Sequence, residues 1–194
     1  MRYMILYEKT GCMKFVGHLD LLRFMQRALR RAGIDAAYSR GFNPRSLVSF
    51  AAPLSVGVSG LFEIMTIRVN SEVDGIDERL NAQMPPLGLA VLGGRVMEET
   101  EKEPASVLRY ADFSVSSPSF SEELLAEVMG ENENIYDLKH TDRNTLFMRI
   151  SQGSTANLKP SAVLQTLCGR AGVACGNASY TRLKLYKADG AEIF

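Results

Sequence analysis

The sequence lacks the motifs by which most independent enzymes are recognised. It contains no phosphate-binding G-x-x-x-x-G-K-[ST], no dinucleotide-binding G-x-G-x-x-G, no H-E-x-x-H metal motif and no nucleophile elbow. Histidine is scarce too, since His18 and His140 are the only two and do not form an evident acid–base pair. We therefore expect a binding protein without a cofactor or metal rather than an independent enzyme.

Cysteine and long apolar segments are equally sparse. Cys12, Cys168 and Cys175 form an odd set without the close pairs of a zinc or iron–sulfur site. No segment approaches the roughly 20 apolar residues that cross a bilayer, and the N-terminal residues do not have the pattern of a signal peptide. We expect reduced thiols, no disulfide framework, no membrane partner and a cytoplasmic location.

The overall net charge is zero, but the charges are unevenly distributed. Residues 1–60 contain nine basic and three acidic side chains, a net charge of +6, whereas residues 61–194 contain thirteen basic and nineteen acidic side chains, a net charge of −6. A basic segment of this kind indicates a polyanionic partner.

The order of predicted elements is strand, helix, strand, strand, helix, strand, and this order occurs twice. Hydrophobic periodicity and the positions of glycine and proline define both copies. The predicted fold is α+β, with two tandem ferredoxin-like βαββαβ units and antiparallel sheets. We place the first unit at 1–98, an acidic linker at 99–104 and the second unit at 105–194. The predicted elements are 3–9, 17–32, 47–52, 61–69, 76–84, 89–97, 107–116, 121–129, 135–139, 145–151, 160–171 and 179–187.

The helix predicted for 17–32 has one apolar face and one face rich in arginine. Arg23, Arg27 and Arg30 follow one stripe at i, i+4 and i+7, with Arg31 beside it, and only Asp20 on this helix is available to pair with them. Guanidinium groups suit phosphate oxygens, so we predict a polyanion-binding surface. The alternatives are ion pairs with acids elsewhere, such as those at 98–103, and plain solvation.

A loop rich in glycine, proline and arginine follows this helix. Residues 39–46 offer backbone N–H groups, Arg40, Arg45, Asn43 and the aromatic Phe42, which we predict to contact RNA. Gly41 is expected to shape the turn. The alternative is a structural hairpin in which Phe42 packs into the core.

Other residues are predicted to organise this site. His18 lies near the helix N-terminus on the apolar side, as a packed or capping residue or, alternatively, as a general base. Glu63 lies on the same side of its predicted strand as apolar residues, so its carboxylate needs a buried partner. The candidate partners are His18 and a loop arginine. Tyr38 and Asp20 complete the set of organising residues.

Four sequence runs carry a family resemblance: K-F-V-G-H-L-D-L at 14–21, R-A-L-R-R-A-G at 27–33, Y-S-R-G-F-N-P at 38–44 and S-F-A-A-P-L-S-V-G at 49–57. The N-terminal third resembles the radical-SAM-linked domain of unknown function, which occurs alone or attached to radical S-adenosylmethionine proteins. The sequence departs from the family pattern at Arg45, because a histidine or lysine is expected after Asn43-Pro44.

The resemblance implies a protein that accompanies a radical enzyme in an RNA-related role. Together with the basic surface, it predicts an accessory protein that binds tRNA or ribosomal RNA and presents it to a radical S-adenosylmethionine partner. Two alternatives are a metal-independent endoribonuclease that uses His18 and a protein–protein adaptor that docks on the radical enzyme.

Overall fold

The computed structural model describes all 194 residues and divides the chain into two compact units. Unit 1 contains Met1–Ser106 and Phe194, and unit 2 contains Val107–Ile193. Both units combine helices with antiparallel strands, which confirms the α+β class. A four-residue helix, α3 (Pro104–Val107), spans the point of division and was not predicted, because four residues carry no helical periodicity.

Unit 1 contains four strands and two longer helices in the predicted order. In its sheet the first strand lies between the fourth and the third, and the second strand pairs with the third. A 3-10 helix at Gly11–Phe15 follows the first strand. The elements are β1 (Arg2–Lys9), α1 (His18–Arg31), β2 (Val48–Phe50), β3 (Val58–Arg68), α2 (Ile76–Asn81) and β4 (Leu89–Val96).

The strand predicted for 47–52 is shorter than expected. The strand itself covers Val48–Phe50, opposite Met65–Ile67, and single hydrogen bonds at Leu47 and Ala51 continue the contact with β3 on either side. The chain leaves the ladder before Pro53, which has no N–H to donate. Gly57, with φ 87°, lies in the turn that leads to β3. The strand therefore ends where its sequence no longer supports pairing.

Helix α1 covers the sheet of unit 1 with its apolar face. Leu21, Met25, Ala28 and Leu29 are buried, at the spacing that brings one face of a helix onto a core. The helix ends before Gly33, which adopts a left-handed conformation with φ 66°. These residues share the main core of the unit with Tyr3, Ile5, Met65, Ile67 and Leu80.

The C-terminus of α1 is held by an arginine from α2. Arg79 donates from Nε and Nη2 to the carbonyl of Ala32, at 3.2 and 2.8 Å, and from Nη2 to the carbonyl of Gly33, at 3.0 Å. Carbonyl groups at a helix end have no partner within the helix, and a cation there also interacts favourably with the helix dipole. Arg79 therefore connects the two helices of unit 1.

The acidic segment that we predicted as a linker contacts the strands of unit 1. Glu101 accepts hydrogen bonds from Arg95 at 2.6 and 2.8 Å, and Glu103 accepts one from Arg2 at 3.1 Å and one from Thr66 at 3.0 Å. The hydrogen bonds with Glu101 raise the pKa of Arg95. These carboxylates are therefore engaged by arginines of β1 and β4.

Unit 2 repeats the element order of unit 1. In its sheet the first strand lies between the fourth and the third, the second strand pairs with the third, and these pairs are antiparallel. Arg170 of α5 donates hydrogen bonds to Glu127 and Glu131, which joins the two helices. The elements are β5 (Leu108–Ser116), α4 (Glu122–Gly130), β6 (Ile135–Asp142), β7 (Thr145–Ser151), α5 (Pro160–Ala171) and β8 (Tyr180–Lys187).

A polar network lies on one face of the unit 2 sheet. Arg149 donates two hydrogen bonds to the buried carboxylate of Asp112, at 2.6 and 2.8 Å, and the Tyr186 hydroxyl donates a third, at 2.9 Å. The Arg149 guanidinium lies over the rings of Tyr186 and Tyr110, at 4.8 and 5.4 Å from their centroids. Burial and the hydrogen bond to Asp112 together raise the pKa of Tyr186 to about 12.

The cysteines differ from the expectation of three reduced thiols. Cys168 and Cys175 form a disulfide, with their Cα atoms 5.6 Å apart, and Cys12 is free and exposed. The left-handed Gly172, with φ 66°, turns the chain back at the end of α5 and brings the two cysteines together. Sequence spacing alone did not reveal this reversal.

No helix of the structure combines the length and apolar character needed to cross a lipid bilayer.

We expect Arg79→Ala to lower the free energy of unfolding by about 1 kcal/mol, because the carbonyls at the end of α1 lose their donor. Urea denaturation followed by circular dichroism measures this change. Arg27→Ala is the matched control, since that exposed side chain has no partner in the protein and its loss should cost about 0.5 kcal/mol or less. Equal effects of the two substitutions would contradict the role of Arg79.

We expect Tyr186 to ionise late in an alkaline titration, because its pKa is about 12 in the folded protein. An unfolded tyrosine ionises near pH 10. Between these two pH values only the folded state keeps the proton, so the stabilisation by Tyr186 is complete below about pH 10 and declines as the pH rises towards 12. Tyrosinate absorbance should lose its most alkaline step in Tyr186→Phe, and Asp112→Asn should move that step to lower pH. Superimposable curves for all three proteins would refute the assignment.

Candidate functional site

The exposed face of α1 carries the predicted arginine stripe. Arg23, Arg27 and Arg30 are all exposed, and Arg27 and Arg30 have no partner in the protein. Arg23 pairs with Asp20 at 3.1 Å, but both side chains are about two-thirds exposed, and such surface pairs contribute little. The stripe is therefore largely available to an external anion.

Arg31 differs from its neighbours. Its Nε donates to Gln83 Oε1 at 3.3 Å, its Nη2 donates to the Gln83 carbonyl at 3.4 Å, and its guanidinium lies 5.6 Å from the centre of the Phe24 ring. These contacts give Arg31 a structural role beside the stripe. The sequence did not reveal this role, because Gln83 is distant along the chain.

The acids at 98–103 were an alternative partner for the stripe, and the structure does not place them there. Glu101 binds Arg95, and Glu103 binds Arg2 and Thr66. The α1 arginines make no ion pair with this segment. Pairing with the chain's own acidic run is therefore wrong as an explanation of the stripe.

The loop after α1 is a hairpin with an exposed tip. Tyr38 and Ser46 form an isolated bridge, the Ser39 N–H donates to the Arg45 carbonyl at 2.8 Å, and the Arg45 N–H donates to Ser39 Oγ at 3.0 Å. Gly41 adopts φ 139°, a conformation that side-chain-bearing residues rarely take. The base of the loop is thus fixed by hydrogen bonds.

The tip of this loop presents cationic, aromatic and amide groups. Arg40, Asn43 and Arg45 are exposed, and neither arginine side chain has a partner in the protein. Phe42 is fully exposed, which contradicts the alternative that its ring packs into the core. Tyr38 is half-exposed at the base of the loop. The loop therefore offers a planar ring beside two free guanidinium groups.

His18 is the first residue of α1 and is partly buried. Its ring meets Phe50 edge-on, with centroids 5.3 Å apart, and Phe50 meets Tyr7 in the same way at 5.9 Å. The His18 side chain makes no hydrogen bond with another group of the protein, so no carboxylate or second histidine is paired with it. The geometry favours the packed histidine over the general base.

Glu63 is buried on the core face of β3, as its strand parity predicted. Its side chain lies over the backbone of Gly60, where a Cβ atom would come within 2.6 Å of Glu63 Cγ. Arg40 and Arg45 are exposed without ion pairs, so Glu63 does not hold the loop through an arginine. It lies instead beside the register shift between β1 and β3, where Tyr7 pairs with Glu63 and Lys9 pairs with Gly60.

Lys9 was missed by the sequence reasoning. It is only 1% exposed, it is the register partner of Gly60, and its Nζ lies 3.4 Å from the Lys14 carbonyl. The signal was present, because Lys9 continues the alternation of Tyr3, Ile5 and Tyr7 on the core face of β1. Two buried charged residues, Lys9 and Glu63, therefore occupy neighbouring positions on paired strands.

We expect Gly60→Ala to lower the free energy of unfolding by about 1 to 3 kcal/mol, because the added methyl group displaces the buried Glu63 side chain. Thermal denaturation measures this effect. Gly169→Ala is the control: nothing lies within 4 Å of the added Cβ in helix α5, so this change should stabilise by about 0.5 to 1 kcal/mol. Stabilisation by Gly60→Ala would show that Glu63 is not held as described.

Comparison with known proteins identifies a family. A family model described as "Uncharacterized protein conserved in bacteria (DUF2344)" matches residues 2–141. None of the curated proteins matches the chain. The matched segment covers well over half of the sequence, including the arginine stripe, the loop, Glu63 and the first two strands of unit 2. The chain therefore belongs to the DUF2344 family of conserved bacterial proteins.

Proposed function

We propose that this protein binds RNA through the exposed face of α1 and the loop that follows it. One observation carries the proposal, namely the contrast between two sets of arginines. Arg2, Arg79, Arg95, Arg149 and Arg170 each donate hydrogen bonds to groups of the protein. Arg27, Arg30, Arg40 and Arg45 are exposed, and their side chains have no such partner.

Free guanidinium groups on a stripe and a neighbouring loop suit a polyanion with regularly spaced phosphates. Arg23 joins the set because its exposed pair with Asp20 is readily exchanged for a phosphate contact. Phe42 supplies a ring on which an unpaired base stacks, and Asn43 supplies an amide for hydrogen bonding. An aromatic at an exposed tip favours RNA with unpaired nucleotides, such as the loops of tRNA or ribosomal RNA.

The fold provides the scaffold that carries the proposed RNA-binding residues. We infer that each unit is a ferredoxin-like βαββαβ module, because both have the strand order fourth, first, third, second with antiparallel pairing. Such modules carry many functions, so the site rather than the fold supports RNA binding.

The partner enzyme is inferred from sequence resemblance. The runs between Lys14 and Gly57 resemble the radical-SAM-linked domain, so we propose that the bound RNA is presented to a radical S-adenosylmethionine enzyme in the cytoplasm. In this role the protein performs no chemistry itself. The packing of His18 against Phe50 supports binding over cleavage by a His18-dependent ribonuclease.

A second candidate is the protein–protein adaptor, and one observation favours it. Phe15, Leu19 and Val56 are large apolar side chains, each more than 60% exposed. The Gly57 N–H donates to the Lys14 carbonyl at 2.9 Å, so the chain segments that carry Val56 and Phe15 lie side by side. An exposed apolar cluster on the same chain segment as the arginines suits a protein partner with acidic residues around an apolar side chain.

We expect log Kd for single-stranded RNA to depend on log salt concentration with a slope of magnitude about 3, which corresponds to about four neutralised phosphates. The double substitution Arg27→Ala and Arg30→Ala should reduce this magnitude by about 1.4 and weaken binding, because two phosphate contacts are lost. Fluorescence anisotropy over a salt series measures both quantities.

The control for this experiment removes the same charge elsewhere. Arg143 and Lys159 are exposed in unit 2 and have no side-chain partner, so their double substitution by alanine should leave the slope nearly unchanged. A slope near zero for the wild-type protein, or an equal loss in the control, would contradict RNA binding at α1. Salt-sensitive retention of the radical enzyme without RNA retention would favour the adaptor.

A further inference from the structure

A cavity in unit 2 lies outside the arginine stripe and has no role in the function described so far. Its volume is about 590 Å³, within the range of small-molecule sites. It lies where β5 begins, β6 begins and β7 ends. The side chains that define its chemistry are Arg109, Glu133, Asn134, Tyr136, Ser151 and Thr155.

One wall of the cavity is an aromatic ring held in a fixed orientation. Tyr136 is 52% exposed, yet its hydroxyl lies 3.2 Å from Ser151 Oγ, and its ring lies 5.2 Å from that of Tyr110. Tyr110 in turn stacks on Tyr186, with an interplanar angle of 21°. A ring fixed at both its edge and its hydroxyl loses little conformational entropy when a flat ligand stacks on it.

The other walls are formed by backbone that hydrogen bonds hold in place. The Ser151 N–H donates to the Asn134 carbonyl at 2.9 Å, and the Gln152 N–H donates to the Arg109 carbonyl at 2.8 Å. The Gln152 amide group then holds the following loop through Asn157 Oδ1 and the Leu158 carbonyl, at 2.8 and 2.9 Å. The cavity is therefore preformed rather than created by a ligand.

The polar groups suit a flat ligand with hydrogen-bonding edges. Ser151 Oγ donates to Asn134 Oδ1 at 2.8 Å, which orients the side-chain amide and leaves its NH₂ group as a donor. Thr155 adds a hydroxyl, and Glu133 adds a carboxylate that accepts from exocyclic amines. One arginine and one glutamate give no net charge, so the site does not favour an isolated phosphate.

We propose that this cavity binds one unpaired nucleobase, stacked on Tyr136 and hydrogen-bonded along its edge by Asn134, Thr155 and Glu133. Unpaired bases present a π face and polar edges, and proteins recognise them by stacking on aromatic rings and by hydrogen bonds. The proposal rests on the proposed RNA binding, and deepens it by giving the RNA a contact that depends on bases rather than phosphates.

The test uses the full chain and a short single-stranded RNA that contains 2-aminopurine, whose fluorescence is quenched when it stacks on an aromatic ring. All proteins in this quenching assay carry Phe42→Ala, which removes the other proposed stacking ring, and the protein with Tyr136 intact should quench this signal. Tyr136→Ala should abolish the quenching and weaken single-strand affinity about 5- to 100-fold, while Tyr136→Phe should keep the quenching because it keeps the ring. Val173→Ala, at an exposed position of unit 2 outside the cavity, should behave as wild type.

Two further measurements separate this proposal from the function on which it rests. Tyr136→Ala should leave the salt dependence unchanged, whereas the substitutions on α1 reduce it. Saturation-transfer NMR with adenosine, guanosine, cytidine and uridine monophosphates should detect contact with the free base in the wild-type protein but not in Tyr136→Ala.

The outcomes are distinct. Salt-dependent RNA binding without quenching, and with Tyr136→Ala equal to wild type, overturns the cavity proposal and leaves RNA binding intact. Mononucleotide binding that depends on Tyr136, without salt-dependent RNA binding, overturns the proposed function and supports the cavity. Failure of both measurements overturns both. Loss of the quenching in Tyr136→Phe as well as in Tyr136→Ala would show that the ring is not the stacking surface.

Discussion

The packing of α1 against β1 and β3 is the constraint on which the rest of the site depends. Met25, Ala28 and Met65 are completely buried in this interface, so the helix cannot rotate about its axis without exposing them. Successive residues of a helix are about 100° apart, and burial of one face therefore fixes the other towards solvent. The outward direction of Arg23, Arg27 and Arg30 is thus a consequence of core packing.

Contacts within the protein distinguish the arginines that have a structural role from those that are available to a partner. Arg149 is held by the buried carboxylate of Asp112 and Arg79 by the carbonyls at the end of α1, whereas the pair of Arg23 with Asp20 is exposed. The acidic run after β4 is engaged by Arg2 and Arg95, and the arginines of α1 make no ion pair with it. Unit 1 therefore keeps a positive helix surface even though the chain as a whole has no net charge.

Local pattern was enough to predict most elements, because they depend on residues close in sequence. The bounds of β7 and α5 match the prediction, and strand parity identified the burial of Glu63. The failures depended on contacts that hydrophobic pattern and spacing do not show. Gln83 holds Arg31, and the turn at Gly172 joins Cys168 to Cys175. The burial of Lys9 did not depend on a distant contact. Its position in the alternation of β1 places it on the core side, and only its charge suggested exposure.

The cavity of unit 2 could not be predicted from sequence for a related reason, and its chemistry complements that of α1. Tyr136, Ser151 and Arg109 come from three strands, and only the pairing of β5, β6 and β7 brings them together. Phosphate contacts position a nucleic acid without reading it, whereas contacts with bases carry sequence information. In the proposed RNA complex, the exposed arginines of one unit supply the phosphate contacts and the neutral, aromatic cavity of the other supplies the base contact. Affinity and selectivity would then depend on different residues and respond differently to salt.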